Sequence, residues 1–268
     1  MNMDDMIVKI IITTLIFILG AGMGSFVTML VWRLKTKKSL MGRSVCEKCG
    51  KTLSPSELIP VISWFRLRGR CGKCHKKLDK FIPFVELLTA ILFGISFWFW
   101  FGELNNILGV IQFSLWLVVL TGLIALAVYD MRYRKLPNKV MFSTIVVAAI
   151  FYIITSVFIE QNSYSLATLN AIFAMLPITG VYGLIYILTR GKMVGFGDVK
   201  LGLIIGFLLP WQGGLAVLFL ANILGFIIIL PKLIMGKIKP DARVSFGPYL
   251  IVATITAFFM METFMNLF

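Results

Sequence analysis

Charged side chains are scarce in this sequence, and their scarcity limits the class of protein it can be. Only 14% of the 268 residues are charged, whereas 59% are hydrophobic. A soluble domain of this length needs far more charge on its surface. The apolar residues also form runs of about twenty, the length of a helix that crosses a bilayer. The composition therefore predicts a polytopic membrane protein with one small soluble insert.

Histidine is almost absent, since His75 is the only one in the chain. Its rarity removes histidine-based catalysis, such as a Ser-His triad, from consideration. Cysteine is also rare, and all four cysteines lie in one hydrophilic loop. Any hydrolytic chemistry must therefore come from other side chains, and the cysteines need a separate explanation.

Eight apolar segments can be drawn along the chain, with boundaries good to a few residues. The sixth is too short to cross an average bilayer, so we expect it to begin or end inside the protein. The predicted fold class is all-α: a polytopic membrane protein of about eight transmembrane helices, with a small cytoplasmic loop domain between the first and the second. The segments are 7–31, 82–101, 107–129, 140–159, 167–189, 199–210, 213–231 and 248–266.

Lys and Arg are missing from three of the seven connections between these segments. Of the 26 Lys and Arg residues, 25 lie in four stretches and the other is Lys9, and the connections near 102–106, 160–165 and 211–214 contain none. With eight spans the basic stretches share one side, which the positive-inside rule makes cytoplasmic, and both termini are then outside. The net charge of +14 thus reflects topology, and we predict no nucleic-acid binding. The basic stretches are 33–80, 132–139, 190–200 and 232–243.

Two of the few acidic residues occupy special positions. Asp130 ends the third span and Asp198 starts the sixth, so both lie where a helix meets the predicted cytoplasmic surface. A carboxylate at the edge of the hydrocarbon is costly and is a functional candidate by default. Gly195 and Gly197 precede Asp198 in a Gly-Phe-Gly-Asp sequence, and glycine lets a substrate backbone approach closely.

Paired carboxyl groups have one chemistry that fits this position, which is peptide hydrolysis by an activated water. Two carboxyls a few ångströms apart cannot both ionise easily, so they share a proton. One then acts as general base on the water while the other polarises the scissile carbonyl. Because the pair titrates as a unit, neither role is assigned to one residue.

A structural interpretation of both aspartates stays open on these positions alone. Asp198 could cap its helix at the N-terminus, and Asp130 could pair with a neighbouring arginine at a helix end. Two further acids lie near the interface. We expect Asp241 to be solvated in a basic loop and Glu86 to have a polar role within the helix bundle.

The cysteines form two Cys-x-x-Cys pairs, a pattern typical of a zinc site with four thiolate ligands. Nearby Lys and Arg would help to stabilise the thiolates. Such a site would fold a loop that has little core of its own, and a redox role is the main alternative. His75 is then a bystander, and the apolar piece 58–66 either packs on the zinc site or lies on the membrane surface. The predicted ligands are Cys46, Cys49, Cys71 and Cys74.

A series of short motifs, in order along nearly the whole chain, resembles the bacterial type IV prepilin peptidases, including the leader peptidases of competence and type II secretion. The matching segments are Gly24-Ser25-Phe26, Trp32-Arg33-Leu34, the two cysteine pairs with Leu58-Ile59-Pro60 and Ser63-Trp64 between them, Leu67-Arg68-Gly69-Arg70-Cys71, Pro83-Phe84-Val85-Glu86-Leu87, Asp130 with Leu136-Pro137-Asn138, Gly195-Phe196-Gly197-Asp198-Val199-Lys200, and Phe246-Gly247-Pro248.

The resemblance implies a function in more detail than composition does. Such enzymes cut the short basic leader of type IV prepilins or pseudopilins after a glycine at the cytoplasmic face of the inner membrane. The catalytic pair of the family matches Asp130 and Asp198. Many members with the cysteine loop also N-methylate the new N-terminus with S-adenosylmethionine, so the resemblance implies a bifunctional enzyme. Which residues bind S-adenosylmethionine is unknown.

Two segments depart from the family pattern. Residues 35–42 are more basic than the proline-bearing segment that usually follows the first span, and Ser56-Glu57 stands where an aspartate is common. Both lie in the cysteine loop, so they bear on methylation rather than on cleavage. The predicted division is 1–32 for the first helix, 33–81 for the zinc-knuckle loop and methyltransferase part, and 82–268 for the protease domain.

Two other functions fit some of these features. A presenilin-like protease also resembles the Gly-x-Gly-Asp enzymes, but it cuts within the bilayer and lacks a cytoplasmic cysteine loop. An ion-coupled transporter, a protein of a different class, would place its acids near the bilayer midplane. The expected partners are prepilin or pseudopilin substrates and membrane lipid, which basic loops attract.

Overall fold

Long helices dominate the computed structural model, which describes residues 3–101, 104, 106–236 and 245–260. The chain divides into two compact units, Met1–Asn105 and Asn106–Phe268. The helix that follows the cysteine loop belongs to the first unit in this division. The three-part division at residues 32 and 81 stays a prediction.

The first unit is built on a close pair of helices, α1 (Met3–Thr36) and α3 (Phe81–Trp100). Gly20 and Gly24 of α1 lie four residues apart and face α3. A Cβ atom at Gly20 would lie 2.7 Å from Phe93, and one at Gly24 would lie 2.6 Å from the Cα of Glu86. Small residues at this spacing let two helix backbones approach closely in a membrane, which explains how two apolar helices bind each other without a hydrophobic driving force.

The loop between these helices contains little regular structure. It has one 3₁₀ turn, Pro55–Glu57, and one short helix, α2 (Ile62–Arg66). Two isolated antiparallel bridges, Val45 with Thr52 and Arg70 with Lys77, close a small hairpin around each cysteine pair.

In the second unit a short helix, α8, lies at the centre and contacts most of the others. Its residues Leu201, Ile204 and Ile205 are buried. At 13 residues it is roughly 20 Å long, so it is shorter than the hydrocarbon core and depends on its neighbours for burial. The helices of this unit are α4 (Ile107–Tyr133), α5 (Asn138–Ile153), α6 (Tyr164–Met175), α7 (Val181–Thr189), α8 (Phe196–Leu208), α9 (Trp211–Ile234) and α10 (Gly247–Phe259).

Two π-helical segments lie within apolar runs that the sequence treats as single spans. Ile154–Ile159 continues α5, and Leu176–Gly180 connects α6 to α7. The second contains Pro177, which cannot donate a backbone hydrogen bond and so disturbs the α-helical pattern.

Helices long and apolar enough to cross a membrane confirm a multi-pass membrane protein. Six of them occur in the described part of the chain: Met6–Thr36, Phe81–Trp100, Ile107–Tyr133, Asn138–Ile159, Tyr164–Thr189 and Trp211–Ile234. The other two predicted spans correspond to α8 and α10, both 13 residues long in the structure, and the count of eight crossings stays a prediction.

One predicted connection is wrong, and others lie outside the described residues. The connection expected at 211–214 is already helical, because Pro210 precedes the first residue of α9 and the turn is limited to Leu209–Pro210. Residues 261–266 of the last predicted span and Asp241 belong to the part of the chain that the structure does not describe.

Candidate active site and cysteine centre

Asp130 lies on α4, one turn before this helix ends at Tyr133. Its side chain is 5% exposed. The carboxylate accepts hydrogen bonds from the Ser245 hydroxyl and from the backbone N–H of Gly247. Both donors are at the start of α10, so the beginning of one helix holds the acid that is near the end of another.

Asp198 is the third residue of α8 and is half-buried. Its Oδ2 accepts the backbone N–H of Gly195 at 3.3 Å, so the aspartate does cap its helix. The capping alternative is therefore correct, but it is incomplete. The Asp198 carboxyl also lies close enough to Asp130 for the two groups to interact electrostatically.

Glycine backbones surround the two carboxyl groups. A Cβ atom at Gly195 would lie 3.4 Å from Asp198 Oδ2, and one at Gly247 would lie 2.7 Å from Asp130 Oδ2. Gly197 instead faces Leu136, whose Cδ1 lies 2.7 Å from the position of a Cβ atom there. The structure thus places Gly195 of the predicted loop beside Asp198, turns Gly197 toward Leu136, and adds Gly247 beside Asp130.

Lys200 connects the starts of α5 and α8 next to these acids. Its Nζ donates to Asn138 Oδ1 at 2.9 Å. The same ammonium lies 4.9 Å from the ring centre of Phe196 and 5.0 Å from that of Phe142, distances typical of cation–π contacts. These contacts fix the beginning of α8, and therefore the backbone that carries Asp198.

Sequence reasoning did not assign a role to Leu136, Ser245 or Gly247. Leu-Pro-Asn and Phe-Gly-Pro were visible as motifs, and each immediately precedes or begins a helix, α5 and α10 respectively. Their position at helix starts next to basic stretches was the available signal. Their contacts depend on how α4, α5, α8 and α10 pack, which no local pattern specifies.

Two interacting carboxyls held by backbone and hydroxyl donors can perform acid–base chemistry on a bound water. One carboxylate can accept a proton from the water while the other carboxyl donates a hydrogen bond to a substrate carbonyl. Because Gly195 and Gly247 carry no side chains, they leave room for another backbone to approach the two acids closely.

The four cysteines form the second cluster, which lies in the first unit. Their Sγ atoms all lie within 4.8 Å of one another. A tetrahedral zinc ion with Zn–S bonds of about 2.3 Å requires S–S separations of about 3.8 Å, so a small contraction would complete the geometry. Cys46 and Cys71 are buried. The donor set therefore fits a structural zinc ion.

Each half of the cluster turns at the residue after the second cysteine. Gly50 has φ +70° and His75 has φ +52°, both in the left-handed region. His75 takes that conformation, and Gly72 is needed for another reason, since a Cβ there would lie 2.7 Å from Glu57 Oε1.

Glu57 links the two cysteine hairpins. Its carboxylate forms an ion pair with Lys51 at 2.9 Å and accepts the backbone N–H of Ser54, also at 2.9 Å. The Ser54 N–H, followed by Lys51, holds the pKa of Glu57 below its usual value. Lys51 and Ser54 extend the first hairpin, while Gly72 belongs to the second, so the departure from the family pattern at Glu57 has a clear structural role.

The thiols differ in how readily they ionise. Backbone N–H groups of Cys74 and Lys73 lower the pKa of the Cys71 thiol to about 6. The Lys51 N–H also favours ionised Cys49, but burial and the neighbouring Cys46 thiol outweigh it and raise the pKa of Cys49 to about 11. Ionisation of one thiol therefore disfavours ionisation of its neighbour, and a bound cation would offset the repulsion between the thiolates.

Glu86 has the polar role within the bundle that the sequence predicts. It is 4% exposed, and its Oε2 accepts the backbone N–H of Val61 at 2.7 Å. Val61 has φ +62° and ψ −55°, and Ile62 N donates to Pro60 O at 2.6 Å. This is a strained γ-turn, which the buried carboxylate holds against α3.

The apolar piece between the hairpins packs on the second hairpin with one side, and its position on a membrane surface stays a prediction. The Trp64 ring packs on Gly69, where a Cβ would lie 2.8 Å from it, and Leu67 packs on Gly72. In contrast, Ile62 is 63% exposed and Phe65 is 66% exposed. One side therefore packs on the second hairpin, and the other presents large apolar side chains at the surface.

Comparison with known proteins adds independent information on both units. Residues 18–100 match the bacterial peptidase A24 N-terminal domain, and residues 117–230 match the type IV leader peptidase family. No solved structure is significantly similar to the chain.

Curated relatives resemble the chain over most of its length. The prepilin leader peptidase/N-methyltransferase of Dichelobacter nodosus is 34% identical over 221 residues, covering 80% of this chain and 70% of the relative. The protein of the same name in Bacillus subtilis is 27% identical over 259 residues, covering 95% and 97%. That of Pseudomonas aeruginosa is 28% identical over 218 residues, covering 81% and 71%.

Proposed function

The chain belongs to the type IV leader peptidase family, and on that premise we propose that it is a bifunctional membrane enzyme. It removes the leader peptide of type IV prepilins or pseudopilins and N-methylates the new N-terminus. The observation that supports the peptidase activity most is the interaction between the Asp130 and Asp198 carboxyl groups in a setting of glycine backbones. Family membership favours this function over the presenilin-like protease and the transporter.

The two aspartates are the proposed catalytic residues. One carboxylate takes a proton from a water molecule, whose oxygen attacks the scissile carbonyl carbon, while the other carboxyl protonates the carbonyl oxygen. Return of a proton to the leaving nitrogen then breaks the C–N bond. Ser245 and Gly247 hold Asp130 in place, and Gly195 holds Asp198, so the orientation of the pair is set before the substrate arrives.

We assign the four cysteines to a structural zinc ion. When bound, zinc would supply folding energy to a loop with little core of its own. The chain's own contribution is the pair of hairpins that Glu57 connects. Methylation requires S-adenosylmethionine as methyl donor, and we assign no residues to its binding.

The proposed location is the bacterial inner membrane. The basic connections lie on the cytoplasmic side and both termini lie outside, as the distribution of Lys and Arg favours. In this orientation the aspartates and the cysteine loop face the cytoplasm. The proposed partners are the prepilin substrate and surrounding lipid.

Co-expression with a prepilin tests the proposal. We expect Asp130→Asn and Asp198→Asn each to lower the rate of leader removal by about 10²–10⁴-fold, the usual contribution of a general acid or base. Glu160→Gln is the matched control, since this exposed carboxylate bonds only to Asn162 among the contacts described for it. Wild-type processing by either aspartate variant would refute the catalytic pair.

Mass spectrometry of the mature N-terminus tests the second activity in the same samples. Wild type should add about 14 Da, the mass of one methylene. An unmodified terminus in the presence of S-adenosylmethionine would refute methylation without affecting the conclusion on cleavage.

A further inference from the structure

The segment 58–66 of the cysteine loop presents several large apolar side chains at the surface. Ile62 and Phe65 lie three residues apart in α2, so they share one face of this short helix. Two more exposed apolar residues, Leu58 and Ile59, come just before them. Single exposed apolar side chains are common, but a group of this size indicates an interaction surface.

One hydrogen bond fixes the depth of this segment in the molecule. The backbone N–H of Val61 donates to Glu86 Oε2 at 2.7 Å. Glu86 is the sixth residue of α3, about 7.5 Å along the helix from its first residue, Phe81. The side chain of a helical residue leans toward the N-terminus of its helix. The carboxylate, and the Val61 N–H with it, therefore lies beside the first turns of α3.

The first turns of α3 mark the edge of the hydrocarbon. This helix has 20 apolar residues and is roughly 30 Å long, the thickness of the hydrocarbon core. The partner helix gives the same depth, because Gly24 packs on Glu86 and lies 12 residues, about 18 Å, before Thr36 at the end of α1. The start of α2 thus lies at the level of the membrane edge.

The backbone of this segment has the hydrogen bonds that a position next to lipid requires. The N–H groups of Val61, Ile62 and Ser63 donate to Glu86, Pro60 and Ile59, at 2.7, 2.6 and 3.0 Å. Irregular backbone in water could leave such donors to the solvent. In a lipid environment the protein itself must satisfy them, and here it does so even at the cost of a strained turn.

The charges that follow the apolar residues fit the surface of a bilayer. Arg66, Arg68 and Arg70 are exposed. A segment with apolar residues on one side and arginines beside them is typical of the membrane interface, where the arginines meet anionic headgroups. At the depth of α3's first turns, the medium around any surface that protein does not cover is lipid.

We propose that residues 58–66 form a lipid-binding wedge, in which Ile62 and Phe65 enter the acyl-chain edge of the leaflet on the side of the cysteine loop. Glu86 holds the wedge at this depth through Val61. The loop is then attached to the bilayer by its own side chains as well as by α1 and α3. The proposal is independent of both proposed enzyme activities.

Photocrosslinking tests which molecules contact the wedge. The full-length protein, with p-benzoyl-L-phenylalanine in place of Phe65, is reconstituted into vesicles of phosphatidylethanolamine and phosphatidylglycerol and illuminated. Mass spectrometry after mild alkaline hydrolysis detects a fatty acid bound to the peptide that contains the probe, which identifies an acyl-chain contact. The same probe in place of Ile62 gives a second reading if the first variant does not fold.

Two other positions of the probe serve as controls. Ile18 is an exposed residue within the apolar span of α1 and should react with acyl chains. Lys48 is an exposed charged residue of the first hairpin, and a lysine is costly to place in hydrocarbon. We expect fatty-acid adducts at Phe65 and Ile62 in a yield comparable to that at Ile18 and several-fold above that at Lys48.

The role of Glu86 is tested in the same vesicles. Glu86→Leu removes the acceptor of the Val61 N–H, whereas Glu86→Gln retains an oxygen that can accept it. The yield at Phe65, divided by that at Ile18 in the same variant, should fall in Glu86→Leu and stay near the wild-type value in Glu86→Gln. An unchanged yield in Glu86→Leu would overturn the role of Glu86 in setting the depth.

Three results would overturn the wedge itself. The first is a fatty-acid adduct at Ile18 with none at Phe65 or Ile62. The second is a crosslink from Phe65 mainly to another copy of the chain, seen as a dimer on a denaturing gel. The third is a crosslink mainly to a prepilin added to the vesicles. Because no outcome depends on cleavage or methylation, failure of the wedge would leave the proposed function unaffected.

Discussion

Replacing Gly247 by alanine tests how tightly the start of α10 holds Asp130. The new Cβ would lie 2.7 Å from Asp130 Oδ2 and 3.4 Å from its Cγ. The backbone at Gly247 is not in the left-handed region, so alanine is conformationally acceptable there. The clash with the carboxylate is therefore the main consequence of the substitution.

The size of the effect follows from the distances. Ordinary van der Waals contact begins near 3.4 Å, so the oxygen must move by about 0.7 Å from its present 2.7 Å. A displacement of about 1 Å at a reacting group can cost about 10²-fold in rate. We therefore expect Gly247→Ala to lower kcat by about 10- to 100-fold, with little change in KM, because the displaced group acts on the reaction rather than on binding.

Steady-state cleavage of a prepilin by purified enzyme measures this effect. Gly183→Ala is the matched control within the same unit, since its nearest neighbour, Val199 Cγ1, lies at an ordinary 3.7 Å. Ser245→Ala removes the hydroxyl donor to Asp130 without adding an atom, and should also lower kcat. A wild-type kcat in both Gly247→Ala and Ser245→Ala would refute the idea that α10 positions this carboxyl.

Two further predictions concern the cysteine loop. Cys71→Ser should reduce bound zinc, measured by elemental analysis, and methylation before it reduces cleavage; loss of cleavage alone would contradict the assignment of separate roles. Glu57→Gln should weaken zinc retention at neutral pH. Because the pKa of Glu57 is lowered in the folded loop, its ion pair with Lys51 stabilises above its ordinary value of 4.5 and loses this effect as pH falls further. The difference between wild type and Glu57→Gln in zinc retention should therefore shrink below that pH, and a constant difference would contradict the linkage.

The helices could be predicted from the sequence because apolar runs of a bilayer's thickness permit few alternatives. Asp198 could be placed at a helix start because aspartate and glycine are typical of that position. The partners of Asp130 could not be predicted, since Ser245 lies 115 residues away along the chain. That contact depends on which helices pack together, and apolar helix faces carry little information about their neighbours.

The cysteine loop shows a second limit of sequence patterns. A glycine next to a cysteine suggests a left-handed turn, and Gly50 does adopt one. Gly72 looks equivalent, yet it does not take a positive φ, and His75 does. Gly72 is small because the Glu57 carboxylate packs against it. Glycine thus occurs in the loop for two different reasons, a left-handed backbone conformation at Gly50 and a close approach of another side chain at Gly72. Only the tertiary contacts distinguish the two.

The two aspartates share an arrangement that explains how a membrane enzyme can keep a pair of carboxyls at its edge. Buried polar groups in an apolar environment need hydrogen-bond partners from the protein itself. A helix start offers free N–H groups. Asp198 accepts one at the start of α8, from Gly195, and Asp130 accepts one at the start of α10, from Gly247. Because these two donors belong to the backbone, they hold the acids without occupying the space of a side chain, and the Ser245 hydroxyl adds a side-chain donor to Asp130.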